Sequence, residues 1–156
     1  MIKEAGRGLI LVVNKWDVVE DSLKKEEAGA QVAAAFPFVP WAPLIYTSAS
    51  TGQNVTKIYE LVLEIDKARQ SRFKTAELNR WLRLTVDRKE PPPMQRHLPK
   101  LKYMIQEDDI DFPSFKIFGS QTSFLHWSYK RYLERQFREQ WPLAGTPLKF
   151  WFTEKH

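Results

Sequence analysis

Apolar positions along the chain follow two kinds of pattern. Residues 8–13 (Gly-Leu-Ile-Leu-Val-Val) and 43–47 (Pro-Leu-Ile-Tyr-Thr) are short, nearly unbroken apolar runs rich in branched side chains. Such runs predict strands buried on both faces of a parallel sheet. Between them, residues 22–36 are helix formers, charged at the start and alanine-rich at the end. Asp21 is placed as their N-cap, and Pro37 and Pro40 as stops. Residues 48–52 read as a turn and Asn54 as the next cap, after which Val55, Ile58, Leu61, Val62 and Ile65 recur at helical spacing. The order strand, helix, strand, helix predicts a right-handed parallel crossover. Two strands are few for a stable sheet, and the chain opens almost directly on one of them, so the first part of this domain is expected to be missing.

The pattern then changes. Residues 68–74 are basic and polar and read as a junction. Thr75 is placed to cap a helix with Leu78, Trp81, Leu82, Thr85 and Val86 on one face, and Pro91, Pro92 and Pro93 end it. Residues 101–105 alternate as a strand, 107–111 form an acidic loop, and 114–118 form a second strand. A long helix is predicted from about residue 123 to 141, with Leu125, Tyr129, Tyr132, Leu133 and Phe137 on its apolar face. A last strand covers 148–152. This part reads α-β-β-α-β.

Charge follows the same division. The net +5 of the 156 residues belongs wholly to residues 74–156, because residues 1–73 hold nine basic and nine acidic side chains. Aromatics are also twice as many in the second part. A boundary between 1–73 and 74–156 follows, with anion attraction assigned to the second part. There is no cysteine, which excludes disulfides, thiolate metal sites and cysteine catalysis. No apolar run is long enough for a membrane span, and residues 1–8 lack a signal-peptide layout, so a cytoplasmic protein without membrane contact is expected.

The most specific chemistry follows the first strand: Asn14-Lys15-Trp16-Asp17. A carboxylate at the Asp17 position can accept from both N1–H and the exocyclic amine of guanine. Adenine offers neither donor there, so one bidentate contact separates the two bases. The Lys15 stem can lie along the base, and Asn14 can tie its loop to a neighbour. The second predicted strand is followed by Ser48-Ala49-Ser50-Thr51-Gly52. The small Ala49 lets a backbone N–H approach guanine O6, and Ser48 can brace the Asp17 loop. Both segments fall at the carboxyl ends of neighbouring strands, where nucleotide sites form in open α/β sheets. Read alone, Asn-Lys-x-Asp fits an ordinary polar turn as well as it fits a base contact; the two segments together point to guanine.

This pair resembles the fourth and fifth signature motifs of P-loop GTPases. The fuller strings Val-Val-Asn-Lys-Trp-Asp and Ser-Ala-x-Thr-Gly-Gln-Asn-Val are similar to the second GTPase domain of the bacterial Der (EngA) family of ribosome-assembly factors. Thr-x-Glu-Leu-Asn-Arg from residue 75, Pro-Pro-Pro from 91, Ser-Tyr-Lys-Arg-Tyr-Leu-Glu from 128 and Gly145-Thr146-Pro147-Leu148 resemble that family's C-terminal KH-like domain. The resemblance implies an α/β chain: the parallel βαβα end of a P-loop GTPase domain over 1–73, then an α+β KH-like domain over 74–156. It also implies GTP or GDP as ligand, with Mg²⁺ in the parent protein, and the large ribosomal subunit or its rRNA as partner. Docking on a missing first GTPase domain is a further implication. Asn14, Lys15, Asp17, Ser48, Ala49 and Ser50 are the implied guanine-binding residues, with Ser50 standing where many GTPases carry Lys.

The 156 residues contain no Gly-x-x-x-x-Gly-Lys-Ser/Thr loop, no switch threonine and no Asp-x-x-Gly. Phosphoryl transfer depends on positioning and charge around the phosphates. The chain alone is therefore expected to bind GTP weakly and not to hydrolyse it, and no catalytic residue is assigned. Residues 74–156 hold only Gly119 and Gly145, so the Gly-x-x-Gly clamp of KH domains is absent as well. Trp127, Arg131, Arg135 and Arg138 fall on one stripe of the long helix. That stripe reads as an rRNA phosphate contact, as a solvated face with local ion pairs, or as a docking surface. A stand-alone RNA-binding or protein-docking module with a vestigial GTPase piece is the alternative to a Der-type chain. Phe115, Phe118, Phe124, Phe150, Trp151 and Phe152 are expected in the core. His97, His126 and His156 lack ligand spacing, and residues 107–111 lack a calcium-loop pattern, so no metal site is expected.

Overall fold

A computed structural model of the chain describes residues 6–155. His156 and the first five residues of the stretch read for a leader lie outside the described residues. The elements run β1 (Leu11–Val13), α1 (Trp16–Val19), α2 (Lys25–Ala35), β2 (Leu44–Tyr46), α3 (Val55–Arg69), α4 (Thr75–Arg88), β3 (Lys100–Gln106), β4 (Ser114–Ser120), α5 (Trp127–Gln140) and β5 (Lys149–Glu154). The fold is mixed α/β. A parallel pair joins β1 to β2, and a three-stranded sheet has the order β3-β4-β5. In the latter, β3 and β4 are antiparallel while β4 and β5 are parallel, so α5 serves as a crossover.

The larger core lies between that sheet and helices α4 and α5. Leu78, Trp81 and Leu82 of α4 meet Met104, Phe115 and Ile117 of the sheet, and Tyr129, Leu133 and Phe137 of α5 close it. The faces of α4 and α5 read from spacing are buried, whereas on α3 only Ile65 is buried and Val62 is 50% exposed. Phe73, in the link between α3 and α4, joins this core with its ring 5.6 Å from that of Phe137 and 5.2 Å from that of Trp141. The free edge of β3 is occupied by a side chain: Asn79 Nδ2 donates to Met104 O and Met104 N donates to Asn79 Oδ1, each at 2.8 Å.

The first part is thinner. β1 and β2 pair from Leu11↔Leu44 to Val13↔Tyr46. Val12 is 47% exposed, so β1 is not buried on both faces as its composition predicts; among the described residues only β2 pairs with it. The two parts meet at the loop after α5. Gly145 donates to Trp41 O at 2.8 Å and accepts from Leu9 N at 2.9 Å. Gly145 has φ +68°, and a Cβ there would overlap the Ile65 side chain of α3. Thr146 Oγ1 adds a bond to Ile65 O at 3.4 Å. This contact was not legible in the sequence, because it joins residues far apart in the chain through backbone groups.

Several local expectations are corrected. Asp21 caps nothing: a short α1 forms first, Ser22 Oγ bonds Val19 O at 3.0 Å, and α2 begins at Lys25 after an uncapped Lys24. Asn54 takes a left-handed conformation, and its amide donates to Tyr46 O at 2.9 Å, so it ties the turn to β2 instead of capping α3. Thr75 is the first residue of α4, preceded by Lys74. The long helix is interrupted. A 3-10 turn at Thr122–Phe124 precedes α5, whose N-cap is His126, its ring nitrogen accepting from Ser128 N at 3.2 Å. No helix among the described residues is long and apolar enough to cross a membrane.

Candidate guanine site

β1 and β2 are parallel, so their carboxyl ends lie side by side and the loops that follow them meet. The ladder continues past the strands: Thr47 N donates to Val13 O and Trp16 N to Thr47 O, both at 2.9 Å. Trp16 is buried and packs its ring 4.5 Å from that of Tyr46, which anchors the turn carrying Lys15 and Asp17. Lys15 sits at φ 58°, ψ 36°, a left-handed conformation that costs a side-chain-bearing residue about 1–2 kcal/mol. Backbone outliers of this kind concentrate at functional sites.

The side chains expected to act together are brought together. Asn14 Oδ1 accepts from Ala49 N at 3.3 Å and from Thr47 Oγ1 at 3.4 Å, so Asn14 does tie its loop to the neighbouring one. Ser50 Oγ donates to Asp17 Oδ2 at 3.2 Å. The Ser48 and Ser50 hydroxyls lie 2.9 Å apart, and Ser48 Oγ accepts from Thr51 N at 3.3 Å. Ser48 is fully buried, whereas Ala49 and Ser50 face solvent. Hydrogen bonding from Ser48, and then from Ser50, holds the Asp17 carboxyl below its ordinary range although partial burial opposes this. Asp17 Oδ1 is covered and has no hydrogen-bond partner. The arrangement is an ionised carboxylate with one oxygen braced and the other unpaired, beside an exposed, small-residue backbone turn.

The arginine stripe of α5 is not uniform. The Arg131 guanidinium lies 5.5 Å from the exposed Trp127 ring. Exposed Arg135 lies 3.7 Å from Glu139. Arg138 turns inward, with its side chain only 17% exposed. Its guanidinium donates to Leu143 O at 3.2 Å and Thr146 O at 3.0 Å, approaches Glu134 at 3.6 Å and stacks 5.5 Å from Trp41. Arg138 therefore braces the loop that joins the two parts and is withdrawn from any surface contact; the carbonyls that draw it in come from outside the helix.

Sequence reasoning also missed a polar cluster at the start of β4. Ser114 is fully buried; its hydroxyl donates to Glu107 Oε2 at 2.7 Å and accepts from Trp151 Nε1 at 3.2 Å. Glu107 pairs with Lys116 at 2.8 Å and is 14% exposed, so this end of the acidic loop is not a solvated segment. Burial resists ionisation of Glu107, but hydrogen bonds from Lys116 and Ser114 prevail and its carboxyl lies below the ordinary range. Trp151 also departs from the expected core: Phe150 and Phe152 face the helices, and Trp151 between them faces out.

Residues 72–153 match the family described as KH-domain-like of EngA bacterial GTPase enzymes, C-terminal. A GTPase Der from Chloroflexus aggregans is 38% identical over 156 residues, covering 99% of this chain and 35% of that protein. The GTPase Der of Thermomicrobium roseum is 37% identical, covering 99% of this chain and 34% of its own length. That of Gemmatimonas aurantiaca is 36% identical, covering 100% and 36%. The chain thus spans about a third of the length of these curated relatives, and its alignment includes the two loops that carry Asp17 and Ser48. The chain belongs to the EngA (Der) family of bacterial GTPases, of which it carries the C-terminal KH-like domain.

Proposed function

We propose that residues 1–73 form the guanine-recognition end of a Der-type GTP-binding protein and residues 74–156 its KH-like domain. The parent protein then acts in the cytoplasm in assembly of the large ribosomal subunit. The observation that carries the nucleotide reading is the Asp17 carboxylate: ionised, with Oδ2 braced by Ser50 and Oδ1 covered and unpaired. Guanine N1–H and its amine are donors that such a carboxylate accepts as a pair; because the fold covers Oδ1, the Asp17 side chain must turn outward to meet them. Ala49 N–H, which donates to Asn14 Oδ1 at 3.3 Å, would exchange that long bond for the base O6, and the Lys15 stem would lie along the ring. These groups fit the base of GTP or GDP. Nothing among the 156 residues supplies the phosphate loop or the Mg²⁺ ligands of the parent, so no hydrolytic step is derived. On the KH-like side, Arg131 and Arg135 are the stripe cations that reach solvent and are assigned to rRNA phosphate.

Base recognition is tested on the ¹⁵N-labelled chain titrated in parallel with guanosine and adenosine. Guanosine is expected to shift the amides of Lys15, Asp17, Ala49 and Ser50, adenosine to leave them in place, and Asp17→Ala to abolish the response. Equal shifts with both nucleosides, or none with guanosine, refute the reading. Steady phosphate release from GTP by the purified chain contradicts the inactivity.

A further inference from the structure

The outward face of the three-stranded sheet is unlike the rest of the surface. Register places Tyr103 beside Phe118 and Lys116 beside Trp151, with Ser114–Lys149 and Lys100–Ser120 pairs at either end. Paired residues share a face, so three aromatic rings and three lysines lie on the side away from the helices. The Tyr103 and Phe118 rings are 6.2 Å apart, and Tyr103 and Trp151 are each 43% exposed. Trp151 is fixed in place: its indole N–H is bound to buried Ser114, and the Lys149 ammonium sits 3.8 Å from its ring centre. The Glu107 carboxylate, which joins this face through Ser114, is already paired with Lys116.

We propose that this face binds single-stranded nucleic acid, with bases stacked on Trp151, Phe118 and Tyr103 and backbone phosphates held by Lys149 and Lys100. The inference rests on the reading that the KH-like domain faces ribosomal RNA, and it assigns a surface and a mode to that contact. Unpaired bases stack on aromatic side chains whatever their sequence, and lysines interleaved with the rings supply the counter-charge. The Lys149 ammonium that covers the indole moves to a phosphate as a base takes its place. Asp108, Asp109 and Asp111, exposed at the Glu107 end, repel phosphate there and direct the strand toward the Lys100 end. A backbone clamp is not available for the task. Gly119 and Gly145, the only glycines of this part, are used for close packing against Lys100 O and Ile65. A protein partner fits the face less well. Protein interfaces are depleted in lysine, and this face carries one aliphatic side chain, Ile105, among its rings and ammonium groups.

The test is fluorescence anisotropy of the full 156-residue chain with labelled decameric oligo(U) and oligo(dT). Wild type is expected to bind both. Trp151→Ala and Tyr103→Ala should each weaken binding about tenfold or more, while Trp151→Phe, which keeps a ring, stays within about threefold of wild type. Lys149→Gln should reduce the slope of log affinity against log salt by about 0.7. Arg131→Glu/Arg135→Glu, on the helical side of the domain, should weaken decamer binding less than Trp151→Ala does. Loss of binding in that double variant with none in Trp151→Ala overturns the sheet-face inference but leaves the RNA-facing reading standing. Absence of binding by the wild type overturns both and leaves a protein partner as the occupant. Near-UV circular dichroism of each variant separates lost contacts from lost folding.

Discussion

Gly145→Ala tests the contact on which the relation between the two parts depends. The residue sits at φ +68°, where an L side chain costs about 1–2 kcal/mol. The added methyl also meets Cδ1 and Cγ1 of Ile65, a side chain only 6% exposed and therefore poorly able to move aside. Overpacking of this sort costs about 1–3 kcal/mol. The expected loss is about 2–5 kcal/mol in urea unfolding, or a fall in Tm of about 4–20 °C for a chain of this size. Both Gly145 backbone bonds can still form with alanine, so the penalty is steric and local. The discriminating measurement is the same substitution in an Ile65→Ala background. There the overlap with Ile65 is gone, and Gly145→Ala should cost only the backbone share of about 1–2 kcal/mol. Equal cost in the two backgrounds, within about 0.5 kcal/mol, removes Ile65 from the explanation. A cost below about 0.5 kcal/mol in the wild-type background refutes the reasoning altogether.

Ser114→Ala deprives both Glu107 and Trp151 of a partner at a fully buried position, and should destabilise the chain by about 1–3 kcal/mol in urea titration; a change under about 0.5 kcal/mol would show the serine to be dispensable. The folded-state pKa of Glu107 lies below its ordinary 4.5, so the unfolded chain binds more protons as pH falls. The stability it contributes is present above about pH 4.5 and is lost as pH drops through the folded value. Glu107→Gln should accordingly give a shallower fall of Tm between about pH 5 and pH 3 than wild type, and identical acid limbs would contradict this.

The sequence revealed most where chemistry is local. Asn14, Asp17 and Ser48 were legible because each follows an apolar strand run, and parallel pairing then leaves their loops no choice but to meet. The buried faces of α4 and α5 were legible from spacing alone. Helix ends were harder. Asp21 and Asn54 have the chemistry of N-caps, but the short α1 and a carbonyl of β2 compete successfully for the turns they occupy. Phe150, Trp151 and Phe152 are all aromatic, so alternation identified a strand without saying which parity faces the helices. Arg138 shares helical spacing with Arg131 and Arg135, and only the carbonyls of Leu143 and Thr146 distinguish it.

Asn79 has one more consequence. A carboxamide carries the same donor and acceptor as a peptide unit, so its two bonds to Met104 make it a one-residue imitation of a fourth strand. It is held on a helix and cannot be extended, and so it terminates the sheet as a chain-stopper terminates a polymer. Crowded beside other copies of itself, the domain offers a β3 border interrupted at Met104, a poorer template for cross-β growth. At Met104, anything that recognises the sheet meets a border already bonded to a helix, whereas β5 forms the other border.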